Sequence, residues 1–429
     1  MLNYLFLILN LIICLKYIYK KDYAILAYII LYQEIHLIPF NNLGYQSIGY
    51  VYYIFIAVLF LLSATSLEIS KKRIRYLLSN NIIRAIILIT TLLLIHTFGI
   101  GLYSKNAEIF VFRYFVQMLP VFIYLILVLE GAKNEKFINQ FIKGILLYGF
   151  LLALILLATT DAINIASYKR GDIRQVLGIS PIAITIIGGD LFITSFLLFL
   201  DSKYKKYINI LYIFMFISVA LIIAGTSRGP LLSLLATLSF YIIFRRKTNL
   251  FHIFSKNSVK IVITIFIIII FLSMYNIGSL EIVEVYLKRI NKLDNYENMW
   301  RYKRYILAYN FFNNNVSVFS RIFFIGTGPA GFDLKLGYQY AHNFILEIVF
   351  EYGFAGVIFL FLFIPTIFKY SYRFLKENIP EKFLIVPLLV IYRFGTTMFS
   401  GDLIAWRNLF FYSIILVHIY MLGKRKKII

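Results

Sequence analysis

Apolar runs dominate the chain and repeat along its whole length. They fall at about 2–18, 22–40, 48–67, 82–100, 109–130, 138–158, 181–200, 207–225, 229–244, 259–275, 342–368, 383–400 and 403–422. Most approach or exceed the length of about 20 residues that one helix needs to cross a bilayer. The gaps between them alternate in character. One set of gaps carries Lys16/Lys20/Lys21, Lys71–Arg75, Lys133/Lys136, Lys203/Lys205/Lys206, Arg245–Lys247 with Lys256 and Lys260, Lys369/Arg373/Lys376/Lys382, and Lys424–Lys427. The short gaps of the other set carry only Lys105, Lys169, Arg170, Arg174, Arg228 and Arg407. Basic residues accumulate at the cytoplasmic ends of spans, so a split of 25 to 6 puts the first set inside. The pattern predicts an all-α polytopic membrane protein of 12–13 transmembrane helices with its C-terminus inside. Thirteen spans put the N-terminus outside; twelve put it inside.

Composition agrees with the pattern. Of 429 residues, 61% are hydrophobic and 15% charged, and the mean hydropathy is +0.82. Soluble domains run near 45–50% apolar and 25% charged. The formal net charge of +23 would point to nucleic acid in a soluble protein. Here the positive-inside bias accounts for it, and no nucleic-acid partner is expected. Cys14 is the only cysteine, so no intramolecular disulfide forms. The first residues lack a basic region and a small-residue cleavage site, so no cleaved signal peptide is expected.

Orientation fixes which loop matters. The hydrophilic segment 276–341 lies outside, between a bundle of about ten spans (1–275) and the C-terminal spans (342–429), all one integrated membrane domain. A second outside loop, 159–180, carries Arg170 and Arg174. Ionisable residues at or near bilayer depth are costly and therefore suspect. The outer half holds Arg228, Arg301, Arg304, Arg321, His342, Glu347 and Glu351.

Arg228 stands in Gly225-Thr226-Ser227-Arg228-Gly229-Pro230, either as a snorkelling turn residue or as an anion clamp. Trp300–Tyr309 has the spacing of an interfacial amphipathic helix with a basic face, suited to anionic headgroups or to a diphosphate. Gly326-Thr327-Gly328-Pro329-Ala330-Gly331 matches a dinucleotide fingerprint by letters alone. That fingerprint needs a βαβ unit, and an external loop predicts a tight turn instead. His342-Asn343 opens the next span, and Glu347 and Glu351 share a helix face. His36, His96, His252 and His418 have no polar company that marks a site, except Glu34 near His36. No motif for a metal, a cofactor or a cysteine nucleophile is present.

Four motifs in order resemble the bacterial O-antigen ligase and polymerase superfamily. His342-Asn343, nine residues, Gly353, two residues, Gly356 is similar to its His-[Asn/Ser/Gln]-x9-Gly-x-x-Gly signature. Thr226-Ser227-Arg228-Gly229 resembles its Ser-Arg-Gly element, and Arg301-x3-Tyr305-x2-Ala308 its Arg-x3-Trp-x2-Ala stretch, with Tyr for Trp. Gly326-x-Gly328-x2-Gly331-Phe332 looks like its turn before the histidine. The resemblance implies a GT-C-like, inverting, metal-independent glycosyltransferase at the periplasmic face of the inner membrane. Its substrate would be an oligosaccharide on undecaprenyl diphosphate. It implies His342 as general base, Arg228 and Arg301 on the diphosphate, and no cofactor. Arg304 is the reserve for Arg301, Asn343 caps the helix or orients His342, and Arg321, Arg170 and Arg174 are further substrate-binding candidates.

Two acceptors compete within that family: a second lipid-linked repeat unit for a polymerase, lipid A–core for a ligase. The sequence favours the polymerase, because its Ile-, Lys-, Asn-, Tyr- and Phe-rich composition is that of an AT-rich polysaccharide-cluster gene. A lipid-linked oligosaccharide flippase is the reading from another class, with Arg84, Arg113, Asp190 and Arg393 as cavity charges. Membrane lipids, a chain-length-regulating co-polymerase and a flippase are the partners that the family implies.

Overall fold

The computed structural model describes residues 2–20, 75, 78–99, 136–159, 181–225, 227–245, 300–315, 320–328, 331–337, 341–377, 379–400 and 403–425, apart from a few within these bounds. The apolar runs at 22–40, 48–67, 109–130 and 259–275 lie outside the described residues, as do Arg170, Arg174 and the start of the long loop. Every described element is helical. In chain order they are α1 (Leu2–Tyr19), α2 (Asn81–Gly99), α3 (Lys136–Thr159), α4 (Pro181–Leu200), α5 (Ile208–Gly225) and α6 (Arg228–Phe244). Then follow α7 (Trp300–Asn315), α8 (Arg321–Ile325), α9 (Gly331–Leu336), α10 (Phe344–Lys376), α11 (Ile385–Ser400) and α12 (Leu403–Arg425). Nine of the thirteen apolar runs thus become helices, eight of them within a few residues of their expected bounds and the ninth, α10, running on to Lys376. Among the described residues, five helices are long and apolar enough to cross a membrane. The chain is an all-α polytopic membrane protein.

Outward stripes of apolar side chains recur at helical spacing. Ile8, Ile12 and Leu15 are exposed on α1, Ile210, Ile213 and Phe216 on α5, and Phe354, Ile358 and Phe361 on α10. Such stripes suit lipid tails, which leave no penalty on exposed aliphatic surface. Four hydroxyls buried within the spans close back on their own helices. Thr90 donates to the Ile86 carbonyl, Ser195 to Leu191, Ser233 to Gly229 and Thr237 to Ser233, at 2.6–2.8 Å. Hydrocarbon offers no water to satisfy these groups, so the helix carbonyls do.

The chain divides into two compact units, one of residues 1–60, 138–294 and 374–388, the other of 61–137, 295–373 and 389–429. In the first, α4 packs along α5, joined by a 3₁₀ turn at Ser202–Tyr207. Asp201 caps that turn by accepting from Lys203 N–H at 3.0 Å, and its other oxygen accepts from Lys382 N–H at 3.4 Å. Close by in the chain, Arg245 at the end of α6 donates to the carbonyls of Leu375, Glu377 and Ile379 and pairs with Glu381 at 2.9 Å. Tyr241 donates to the same carboxylate. Three of the basic clusters that the sequence assigned to one side therefore meet at one end of this unit.

In the second unit α2 packs against α12. Asn80 donates to Tyr370 Oη at 2.9 Å, and Arg373 donates to Tyr420 Oη. Tyr370 and Tyr420 stack at 4.0 Å between centroids. Asn80, Tyr370 and Arg373 again come from gaps of one predicted side, and Tyr420 from the end of the last apolar run. At the far end of α2, His96 reaches the loop that precedes α10.

Removing one partner of a buried ion pair costs roughly 3–5 kcal/mol, because the other charge stays buried and unmatched. Arg245→Ala also strips three carbonyls of their donor, so it is expected to lower the melting temperature of the detergent-purified protein by several degrees. Glu381→Gln leaves those carbonyls served and is expected to cost clearly less. Thermal unfolding followed by tryptophan fluorescence checks the ranking; equal shifts would show that the carbonyl contacts contribute nothing.

Candidate functional site

The histidine of the His-Asn signature sits at the start of α10 in an uncommon backbone state. His342 has φ +60, the left-handed region that costs a residue with a side chain roughly 1–2 kcal/mol. It is half-buried. Asn343 follows as the helix cap: its Oδ1 accepts from Leu346 N–H at 3.0 Å, and its carbonyl accepts from Glu347 N–H at 3.0 Å. The cap satisfies donors that the first turn leaves unpaired.

Nine residues later the helix breaks. Gly353 has φ +56 and ψ −139 inside what is otherwise one helix from Phe344 to Lys376. A nine-residue segment, 344–352, is therefore a unit of about 13 Å at 1.5 Å per residue. Its final carbonyls point out of the ladder, and the loop fills them. Thr327 N–H donates to Phe350 O at 3.1 Å and Gly328 N–H to Glu351 O at 2.9 Å. Thr327 Oγ1 adds a second donor to Phe350 O at 3.0 Å.

The glycines are what allow this approach. A Cβ on Gly353 would lie 2.6 Å from the Phe323 carbonyl and 2.7 Å from Gly326 N. Gly326 has φ +75, and a Cβ there would strike the backbone of Glu351 and Tyr352. Past the break, a Cβ on Gly356 would lie 2.5 Å from the Ile348 carbonyl. The Gly-x-Gly and Gly-x-x-Gly motifs are thus two halves of one backbone joint. The predicted tight turn is present, between α8 and α9, and it docks on the helix break.

Around the joint the loop helices pack in an aromatic cluster. Phe350 meets Phe332 of α9 at 4.4 Å and Phe311 and Phe312 of α7 at 5.2 and 5.3 Å between centroids. Ala308, fully buried, lies in the same cluster. Arg301, Tyr305 and Ala308 stand at i, i+4 and i+7, on one face of α7. That register explains the spacing of the Arg-x3-Tyr-x2-Ala motif: its alanine is where α7 touches the rest of the unit.

Among the described residues, the basic side chains of α7 differ in exposure. Arg304 is half-buried, one turn before Ala308, whereas Lys303 is exposed beside Ile306 and Leu307. Packing of Ala308, Phe311 and Phe312 on Phe350 sets the rotation of α7. Arg321 is exposed in the first turn of α8, where Ser320 caps the helix by accepting from Phe323 N–H at 3.2 Å. The second unit thus carries His342, Asn343, Arg301, Arg304 and Arg321. Arg228 belongs to the first unit, as the opening residue of α6 after Ser227.

One residue that sequence reasoning passed over stands against the joint. His96, 1% exposed, shares a 2.9 Å hydrogen bond between Nε2 and the Ile325 carbonyl. Nothing local in the sequence signals this, because the two residues are 229 positions apart. Glu347 and Glu351 are both buried in the second unit. Of the charges considered for a transport path, Arg393 lies over the Tyr412 ring at 5.2 Å and Arg84 donates to the Leu78 carbonyl. Asp190 is buried in α4, and Arg113 lies outside the described residues.

Residues 213–361 match the family model described as O-antigen ligase. The match supports the O-antigen polymerase and ligase superfamily for that segment. The family domain takes in every motif of the resemblance, from Ser227-Arg228-Gly229 to Gly353-x-x-Gly356, and with it the backbone joint. It leaves out His96. No curated protein matches the chain.

The joint predicts how glycine substitutions rank. Gly353→Ala meets both a left-handed backbone and three backbone atoms, whereas Gly337→Ala at φ +69 meets the backbone term alone, with open space around it. Gly337→Ala is expected to cost about 1 kcal/mol and Gly353→Ala at least twice that. Thermal unfolding checks the ranking, and hydrogen exchange at Thr327 and Gly328 should speed up in Gly353→Ala only.

Proposed function

We propose that this chain polymerises a surface polysaccharide, moving a glycan from an undecaprenyl-diphosphate carrier onto the next lipid-linked repeat unit at the periplasmic face of the inner membrane. The family domain supports polymerase- or ligase-type glycosyl transfer in general. The observation that carries the reading is His342: half-buried, set at the start of a short helix whose two ends are fixed by the Asn343 cap and the glycine joint.

In the proposed step an acceptor sugar hydroxyl attacks the anomeric carbon from the side opposite the leaving group. The hydroxyl proton passes to His342, the bond from carbon to diphosphate oxygen breaks, and the electron pair leaves on the diphosphate. Configuration inverts. A histidine is the side chain whose ordinary range suits a general base at neutral pH. Charge builds on the departing diphosphate, and arginines answer it with bidentate donors. Arg228 and Arg301 are assigned to that role, with Arg304 and Arg321 as further contacts and Asn343 as the residue that orients the start of α10. Arg170 and Arg174 are assigned to the glycan.

A second reading takes the family's name, O-antigen ligase, at its word and makes lipid A–core the acceptor. The composition that points to a polysaccharide gene cluster supports the polymerase. One assay separates them. Purified protein in nanodiscs is given a synthetic undecaprenyl-diphosphate repeat unit, with and without lipid A–core, and the products are run on a gel. A ladder from the single substrate is expected, and product only on addition of lipid A–core would replace the polymerase by a ligase. Lipid-linked sugar crossing proteoliposomes, with no product in either assay, would identify a flippase. His342→Ala is expected to abolish transfer, by at least the 10²–10⁴-fold typical of a lost general base, with protein level and melting temperature unchanged. Retained turnover would remove the base assignment.

A further inference from the structure

The joint is held from a third side, by a span far away in the sequence. A carbonyl only accepts, so the 2.9 Å contact with Ile325 O means that His96 Nε2 carries a proton and donates it. The ring's other nitrogen faces the turn: a Cβ on Gly328 would lie 2.9 Å from Nδ1, so a Gly328 Cα hydrogen is directed at it. No hydrogen-bond partner for Nδ1 is present among the described residues. The ring edge also meets Tyr352, with centroids 6.3 Å apart and planes at 80°. His96 therefore touches the residue before the turn, the turn itself and the last residue of the 344–352 segment.

Those contacts form a closed circuit within the second unit. His96 binds Ile325; the next residues, Thr327 and Gly328, donate to Phe350 and Glu351; and Tyr352 returns to His96. The segment thus clamped at its C-terminal end is the one that Asn343 caps at the other, directly after His342. We infer that His96 is a positioning residue for the transfer reaction: its imidazole clamps the Gly326–Gly328 turn onto α10 and so fixes where His342 stands. The inference rests on the proposed role of His342. His96 itself is buried and does not reach the reacting atoms.

Side-chain geometry supplies the test. Glutamine places an N–H donor where Nε2 stands, asparagine places its amide nitrogen nearer Nδ1, and phenylalanine keeps the ring without a donor. In the nanodisc assay, His96→Phe is expected to lower kcat by about 10²-fold, the cost of misplacing a catalytic group by roughly 1 Å. KM for the lipid-linked donor should stay within about twofold, as for a group that acts on the transition state alone. His96→Gln is expected to recover most of the loss and His96→Asn little of it.

Hydrogen exchange gives a readout independent of turnover. The Thr327 and Gly328 amides should exchange faster in His96→Phe and His96→Asn than in wild type or His96→Gln. Equal kcat in the glutamine and asparagine variants, or a loss confined to KM, would overturn the clamp. So would unchanged exchange at Thr327 and Gly328 in His96→Phe. Should wild type yield no glycan product, the proposed transfer fails while the exchange comparison still decides whether His96 holds the turn. Should His96→Phe not fold, the glutamine–asparagine pair decides alone.

Discussion

Backbone carbonyls at the end of a helix must find donors, and in a membrane protein water is a poor source of them. The break at Gly353 creates such carbonyls in the middle of an apolar helix, and the turn at Gly326–Gly328 answers them with two N–H groups and a threonine hydroxyl. Much of the described part of the second unit serves that exchange. Positive φ at Gly326 and Gly353 lets the two backbones approach, and the Phe350 cluster fixes α7 and α9 around the contact. The position of His342 is a consequence. A histidine in a left-handed backbone conformation persists only where the chain on either side is held, and here the segment after it is held at both ends.

The spans were legible because their physical signal is local. An apolar run of bilayer length needs no knowledge of its neighbours, and α4 occupies the residues that the run at 181–200 marked. The same holds for the Asn343 cap, whose acceptor and donor are three residues apart. The glycine motifs were legible as spacing but not as mechanism. Nothing in Gly326-x-Gly328 announces that its amides serve carbonyls more than twenty residues later. The seat of α7 was not legible for a related reason. Its spacing gave an interfacial amphipathic helix with a basic face, but not that Phe350, some forty residues downstream, takes up Phe311 and Phe312, with Arg304 half-buried and Lys303 exposed. His96 is the extreme case, since its value lies wholly in a contact with a distant carbonyl.

Where the break falls follows from what surrounds each half of α10. Before Gly353, Phe344, Glu347, Ile348, Phe350, Glu351 and Tyr352 are all buried, so protein groups stand ready to pair with an interrupted backbone. After it, Phe354, Ile358 and Phe361 face outward in a stripe fit for lipid. Irregular backbone at membrane depth is tolerated only where protein encloses it, because lipid leaves each unpaired group unsatisfied at a cost of several kcal/mol. A break one turn further along would expose its carbonyls beside that lipid-facing stripe. The nine-residue spacing from His342-Asn343 to Gly353 therefore has a physical reading: it breaks the helix where Phe350, Glu351 and Tyr352 are all enclosed by protein.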